Sequence, residues 1–261
     1  MSAEATYFER QRRTCRDAIL PFIASARAVE AGMRVMEIGC GEGGVLREFV
    51  DRGCVCVGIE RSERRMESAR RLLAEPEKRG KVSLITSDVY DVVRDAAYRE
   101  SFDVIILKDV IEHIHDQERL MATLGELLVP GGVLFFGFPP WTMPFGGHQQ
   151  VCESFLSKTP YVHLLPRTTY ERLLRAFGEP EGRIEHLLEI VDTGISTRRF
   201  EAIVSRIGFH VLARRMYLLS PNYESRFGLK PIVQLRAVTA LPRLRDFATT
   251  AAYYLVGREA G

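Results

Sequence analysis

The sequence predicts an α/β fold: an open, mostly parallel sheet with helices on both faces. Three observations carry that expectation. The stretch Val35-Met36-Glu37-Ile38-Gly39-Cys40-Gly41-Glu42-Gly43-Gly44 reads as a buried strand that breaks into a glycine-rich turn and opens a helix. Residues 54–59 form a continuous apolar run, the pattern of a parallel strand buried on both faces. Apolar runs then alternate with helical periodicity as far as Phe138, the order that parallel crossovers require.

The 261 residues suffice for one large domain, 1–261, with appended caps, and 46% hydrophobic residues can fill a full core. Basic and acidic residues nearly balance, 36 against 34, so no whole-chain footprint for nucleic acid exists and no nucleic-acid partner is expected. The arginines of 61–71 are laced with Glu63 and Glu67 and read as a solvated helix face. Five cysteines, an odd number without paired spacing, imply free thiols in a reducing, cytoplasmic compartment. Histidines, cysteines and acids do not cluster enough to suggest a metal site. No apolar run is long enough to span a membrane, and the short run 18–24, interrupted by Pro21, lacks a signal-peptide core.

Taken in order, residues 4–30 read as helical with a kink near Pro21, so that 1–32 make an N-terminal cap. Strand one covers 34–38 and a helix 44–52. Strand two ends at Glu60. Ser62 caps the next helix, which turns Met66, Ala69, Leu72 and Leu73 inward. Strand three covers 81–86 and precedes Asp88. Strand four covers 102–107 and precedes Lys108-Asp109-Val110-Ile111-Glu112-His113-Ile114. Asp116 caps a helix with Leu120, Leu124, Leu127 and Leu128 on its core face. Pro130-Gly131-Gly132 stops it, and strand five covers 133–138.

Residues 139–192 are an insert above the carboxyl ends of the strands, where ligands of parallel sheets sit, with one helix expected from Thr168 or Thr169 to Phe177. Ser196 or Thr197 caps a helix with Phe200, Ile203, Val204 and Ile207 at core spacing, closed by Gly208. Strand six covers 209–218. A final, seventh strand over 250–256 is expected antiparallel beside it. Residues 221–247 exceed what a hairpin needs, and their apolar residues suggest a second cap or the contact of a homodimer.

Two glycine patterns overlap in the first turn. Gly39, Gly41 and Gly44 satisfy G-x-G-x-x-G; Glu37, Gly39, Gly41 and Gly43 satisfy E-x-G-x-G-x-G. A carboxylate two residues before the first glycine repels a pyrophosphate but suits a ligand carrying ammonium and sulfonium charges. The second pattern, the acids Glu60 and Asp88 at later strand exits, the D-V-I-E-H-I stretch and the P-G-G before strand five together resemble class I S-adenosylmethionine-dependent methyltransferases of the small-molecule type, over 33–138. The resemblance implies a Rossmann-like, seven-stranded sheet and S-adenosyl-L-methionine as cofactor, with S-adenosyl-L-homocysteine as product. Its cofactor-binding residues fall on Glu37, Gly39, Cys40, Gly41, Gly43, Glu60, Arg61, Asp88, Val89 and Lys108. Glu60 would take the ribose hydroxyls, Asp88 the adenine amino group and the Val89 N–H the ring. An N-terminal segment often covers the site in this family, which could bring Tyr7 and Phe8 within reach of ligand, although plain packing is the favoured reading of both.

Methyl transfer from a sulfonium is an in-line displacement that needs a positioned acceptor and exclusion of water. An oxygen acceptor also needs a base. His113, after strand four, and His148, after strand five, are level candidates. His163 reads as a residue of the insert's own core, and His115, His186 and His210 stand in no special context. On a helix His113 and His115 point apart, which argues against a metal pair. Trp141, Phe145, His148 and Tyr170 are the expected acceptor contacts, suited to an apolar, aromatic or lipid-linked small molecule, though aromatics there could equally form the insert's own core. Rival readings are an RNA or protein methyltransferase, for which Gly137-Phe138-Pro139-Pro140-Trp141 lacks the acid or amide of an N-methylating motif, a nicotinamide-dependent oxidoreductase, and a non-catalytic binding protein.

Overall fold

The computed structural model describes residues 3–258. Its strands are β1 (Arg34–Ile38), β2 (Val55–Glu60), β3 (Val82–Thr86), β4 (Phe102–Lys108), β5 (Leu128–Phe138), β6 (His210–Leu219), β7 (Ile232–Val233) and β8 (Ala251–Gly257). They form one sheet in the order β3-β2-β1-β4-β5-β8-β6-β7. The first five are parallel; β8 lies antiparallel beside β6, as expected, and its other edge pairs antiparallel with β5. The sheet has one strand more than expected: two residues of the second cap, β7, pair with the outer edge of β6. A strand this short leaves no readable period in sequence.

The helices are α1 (Ala3–Thr14), α2 (Leu20–Ala24), α3 (Gly44–Val50), α4 (Glu63–Leu72), α5 (Ala74–Lys78), α6 (Val89–Val92), α7 (Gln117–Leu127), α8 (Arg167–Ala176), α9 (Glu181–Thr193), α10 (Thr197–Arg206), α11 (Asn222–Phe227) and α12 (Arg236–Thr239). One apolar core fills each face of the sheet. Met36, Ile38, Ile105, Leu107 and Phe136 point to the face covered by α7 and α10. Val35, Cys56, Val104, Ile106 and Phe135 point to the face covered by α1, α2 and α3. All five cysteines are buried and unpaired. Among the described residues no helix is long and apolar enough to cross a membrane.

Three expectations need correction. The N-terminal helical segment ends at Ala24, short of Glu30. Near Pro21, where a kink was expected, the run of helix carries a π-helical turn, Cys15–Ile19, between α1 and α2. The insert holds two helices, not one: α9 escaped notice because Gly178 and Pro180 punctuate the chain just before it, yet it buries Ile184, Leu187, Leu188 and Ile190. Third, β5 begins at Leu128, so Pro130-Gly131-Gly132 lies inside that strand. The ladder skips there from Phe102 opposite Leu128 to Val104 opposite Val133.

Candidate active site

The turn after β1 is built from backbone. Gly39, Gly41 and Gly43 have φ of +68°, +57° and +83°, a region closed to most side chains. A Cβ on Gly39 would also lie 2.5 Å from Val110 Cγ2. Gly44 has no positive φ and is needed for another reason: a Cβ there would come within 2.3 Å of the Phe8 carbonyl of α1. The left-handed positions are therefore the three of the E-x-G-x-G-x-G pattern. Glu60, at the end of β2, accepts the Gly41 N–H at 3.0 Å and the Ser62 N–H at 2.9 Å, which fixes its carboxylate against the turn. Arg65 departs from the solvated face expected of 61–71. It is half-buried, pairs with Glu42 at 3.0 Å and lies over the Tyr7 ring at 5.4 Å.

A cleft of about 320 Å³ opens at these strand ends, lined by Gly39, Glu60, Arg61, Asp88, Val89 and His113 among others. Asp88 accepts the Tyr90 N–H through Oδ1 and keeps Oδ2 toward Arg61, 3.9 Å away, so capping and ligand contact are compatible. Five expected cofactor residues thus share one cavity with one expected base. Cys40 differs: its side chain is wholly buried in the core, which leaves only its backbone facing the turn.

A second cleft lies under α1, lined by Tyr7, Arg10, Gln11, Lys108, Asp109 and Arg226 among others. Tyr7 reaches it, whereas Phe8 is a core residue. Lys108 is largely covered and pairs with Asp109; loss of solvent pulls its ammonium down, but Asp109, Tyr7 and Glu37 outweigh this and raise it. Glu37 is buried behind the turn, lines neither cleft, and has one oxygen without a partner. Burial pushes its carboxyl well up, against the pull of Lys108 and the Leu46 N–H.

The third cleft, about 350 Å³, lies between the insert and the second cap. Asp109, Glu112, Phe145, His148, Tyr223 and Arg226 are among its lining residues. Asp109 and His148 are both non-glycine residues at positive φ, 56° and 57°, a strain that persists where surrounding structure enforces it. The His113 and His148 rings lie 5.2 Å apart and nearly perpendicular, and His186 of α9 stacks on His113 at 6.4 Å. Burial, then the neighbouring imidazole, brings His148 down to about 4, and His113 is lowered by burial and by His186, so both rings are neutral at pH 7. Behind them, Thr193 Oγ1 donates to the Glu112 carbonyl at 2.6 Å and Gln117 Nε2 to the carbonyls of Ile111 and Thr193. The loop after β4 is thereby tied to the end of α9.

Of the expected acceptor contacts, Phe145 and His148 line this cleft and two others do not. Tyr170 is fully buried in the insert's own core with Cys152, Leu174 and Leu187. Trp141 packs its ring on Gly194 and His163, and its backbone N–H donates to the Ile195 carbonyl, sealing the base of the insert. His163 accordingly is a core residue, bonded to the Trp141 carbonyl at 2.8 Å. Sequence reasoning gave no role to Asp109, Glu112, His186, Tyr223 or Arg226. Asp109 and Glu112 carried a signal, since they flank His113 in the first loop beyond a central parallel strand. The residues of the second cap carried none.

A family model described as a methyltransferase domain matches residues 7–179. A ubiquinone biosynthesis O-methyltransferase of Rhizobium johnstonii is 34% identical over 178 residues, 66% of this chain and 66% of that protein. One from Thiobacillus denitrificans is 35% identical over 111 residues, 42% of this chain and 46% of that protein. The aligned region thus spans somewhat less than two thirds of the Rhizobium protein's length. Among solved structures, an S-adenosylmethionine-dependent methyltransferase from Mesorhizobium loti superposes with a TM-score of 0.56 at 17% identity, covering 91% of this chain and 96% of that one. The magnesium protoporphyrin IX methyltransferase of Synechocystis with bound S-adenosylhomocysteine gives 0.54 at 14% identity, covering 96% and 84%. At such identities these two likenesses speak for the fold alone.

Proposed function

The chain belongs to the class I S-adenosylmethionine-dependent methyltransferases, and we propose that it moves a methyl group to an oxygen of a small, largely apolar acceptor. The observation that carries this reading is the shared exit of β4. Val110 and His113 line the nucleoside cleft while Asp109 and Glu112 line the cleft between the two caps, so cofactor and acceptor would meet across one loop. The names of the Rhizobium and Thiobacillus relatives favour oxygen as the acceptor atom and an acceptor of the kind met in ubiquinone biosynthesis. The near balance of charge favours a small molecule over nucleic acid.

In this reading the glycine turn cradles the cofactor, Glu60 takes the ribose hydroxyls, Asp88 Oδ2 the adenine amino group and the Val89 N–H the ring. Arg61 borders the adenosine. Lys108 borders the amino-acid end, with Glu37 buried behind the turn. Phe145 supplies apolar contact. Bound there, the cofactor would supply the methyl group to the acceptor oxygen with cleavage of its carbon–sulfur bond, and the cluster of His148, His113 and Glu112 would take up the acceptor's proton. The exposed Ile232, Val233, Leu235, Leu241 and Leu244 of the second cap are assigned to a homodimer contact, which light scattering tests.

Incubation of the protein with S-adenosylmethionine and a panel of phenols, amines and thiols tests the reading. Products analysed by mass spectrometry should carry the added methyl on a phenolic oxygen, and His148→Ala should abolish turnover while retaining S-adenosylhomocysteine binding. Methylation confined to amines or thiols would refute the oxygen assignment.

A further inference from the structure

We propose that Arg226 of the second cap selects an acceptor bearing a carboxylate as well as its reacting hydroxyl, so that phenolic acids are preferred over neutral phenols. The proposal rests on the oxygen-methylation reading and narrows its acceptor. Arg226, Asp109 and Asn222 are the residues that line both the cleft under α1 and the cleft between the insert and the second cap. Arg226 therefore stands where the proposed cofactor and acceptor sides adjoin.

The charges around it do not balance. The cleft under α1, about 450 Å³, is lined by three cations, Arg10, Lys108 and Arg226, and by one acid, Asp109. Lys108 takes Asp109. The other arginines of α1 are paired, Arg12 with Glu9, Glu48 and Asp51, and Arg13 with Asp17 and with Glu224 of α11. Arg10 and Arg226, which face the cleft, have no acidic partner among the described residues. Arg226 lies over the ring of its neighbour Phe227, 5.1 Å away. On the acceptor side the remaining acid, Glu112, is buried, and burial pushes its carboxyl well up, which favours its neutral form.

The cofactor leaves this surplus in place. S-adenosylmethionine brings a sulfonium and an ammonium against one carboxylate, so it adds net positive charge. Its carboxylate can engage one arginine and leaves the other uncompensated. A guanidinium at a cleft mouth costs little while solvated, and it gains a two-pronged, charge-assisted bond when a planar carboxylate arrives. The acceptor cleft is polarised to match. Asn222 and Arg226 stand on its second-cap side, Met143, Phe145 and Val151 on its insert side, and His148 belongs to the proposed proton-accepting cluster. A molecule lying across the cleft turns its carboxylate to Arg226, its apolar body to the insert and its hydroxyl to His148.

The test sets hydroxybenzoates and hydroxycinnamates beside their methyl esters, which keep the apolar body and lose the charge. With the full chain and S-adenosylmethionine, KM for the acids should lie at least about tenfold below KM for the esters, the size of one charged hydrogen bond. Arg226→Gln should erase that preference by raising KM for the acids with little change in kcat, and Arg226→Lys should restore part of it. Arg16→Gln, which removes an exposed cation that lines neither cleft, should keep the preference. Equal KM for acids and esters, or a preference that survives Arg226→Gln, overturns the proposal. Calorimetric titration of the same pairs into the S-adenosylhomocysteine complex decides the matter if no phenol is methylated. Binding of the acids that depends on Arg226 would sustain the anion site and sink the oxygen reading; binding blind to the charge, or no binding of any acid, overturns the proposal.

Discussion

The proposed nucleoside cleft and the proposed acceptor cleft meet at one loop but are made of different material. The first is built from backbone: three left-handed glycines, strand ends held in parallel register, and Glu60 bonded to two main-chain N–H groups. Its shape follows from the sheet. The acceptor cleft is built from side chains on two caps that carry their own supports. The insert has a separate apolar core around Tyr170, and the second cap is anchored by buried Arg245, which bonds Thr197 and Glu201. A cleft of the first kind tolerates little change. A cleft of the second kind can be reshaped without disturbing the sheet, which is what the proposed acceptor side would require.

That contrast can be broken by substitutions that should act on one side only. The largest effect is expected from Tyr170→Ala. It removes a fully buried aromatic from the insert's core and should cost about 3–5 kcal/mol, seen as faster hydrogen exchange of α8 and α9 with the sheet amides unchanged. Equal loss of protection in β1 and β4 would show that insert and sheet unfold as one unit. Next, Gly39→Ala combines positive φ with a 2.5 Å clash on Val110 and should weaken S-adenosylhomocysteine binding about tenfold to a hundredfold while the insert keeps its protease resistance. Adding Val110→Ala should recover part of that loss; no recovery would mean that backbone strain alone is responsible.

A pH effect should be confined to the insert. Glu179 is a covered carboxylate. Burial works against its charge, but the hydroxyl and N–H of Ser154, the Glu153 N–H and Arg183 outweigh this and bring it to about 2 from an ordinary 4.5. A carboxyl held below its unfolded value stabilises the fold fully above about 4.5, and that contribution fades as pH falls toward 2. Limited proteolysis should therefore cut the insert progressively faster over that window, and Glu179→Gln should be cut readily already at neutral pH with little further acid dependence. A wild-type insert equally resistant at both ends of the window would contradict the assignment. The smallest effect is expected from Tyr170→Phe. The hydroxyl is buried without a partner, so its loss should change stability by less than about 1 kcal/mol and leave turnover intact. A large fall in turnover would restore Tyr170 as an acceptor contact.

The same contrast explains what the sequence disclosed. Gly39, Gly41, Glu60 and Asp88 were legible because a strand, a tight turn and a strand-end acid are local constraints, each enforced within a few residues. The successive strands were legible as hydrophobic runs, and the antiparallel final strand was expected from the family resemblance; the order of strands across the sheet comes from the structure. The acceptor side depends on which way side chains face across elements far apart in the chain. Counting aromatics could not separate Phe145, which lines the cleft, from Tyr170, which supports the insert, although Tyr170 and Leu174 one turn apart on α8 did mark a buried stripe. Glu112 and His148 come together only through the adjacency of β4 and β5, so no spacing within either loop could reveal their cluster.

The central claim, that these strand ends bind the sulfonium cofactor through a backbone cradle and Glu60, is tested most directly by calorimetric titration of S-adenosylhomocysteine and of NAD into the wild-type protein and Glu60→Ala. Saturable heat should appear with S-adenosylhomocysteine and none with NAD, and Glu60→Ala should weaken binding by at least about tenfold, the size expected for a lost charged hydrogen-bond acceptor. Heat with NAD alone, or unchanged affinity in Glu60→Ala, would contradict it.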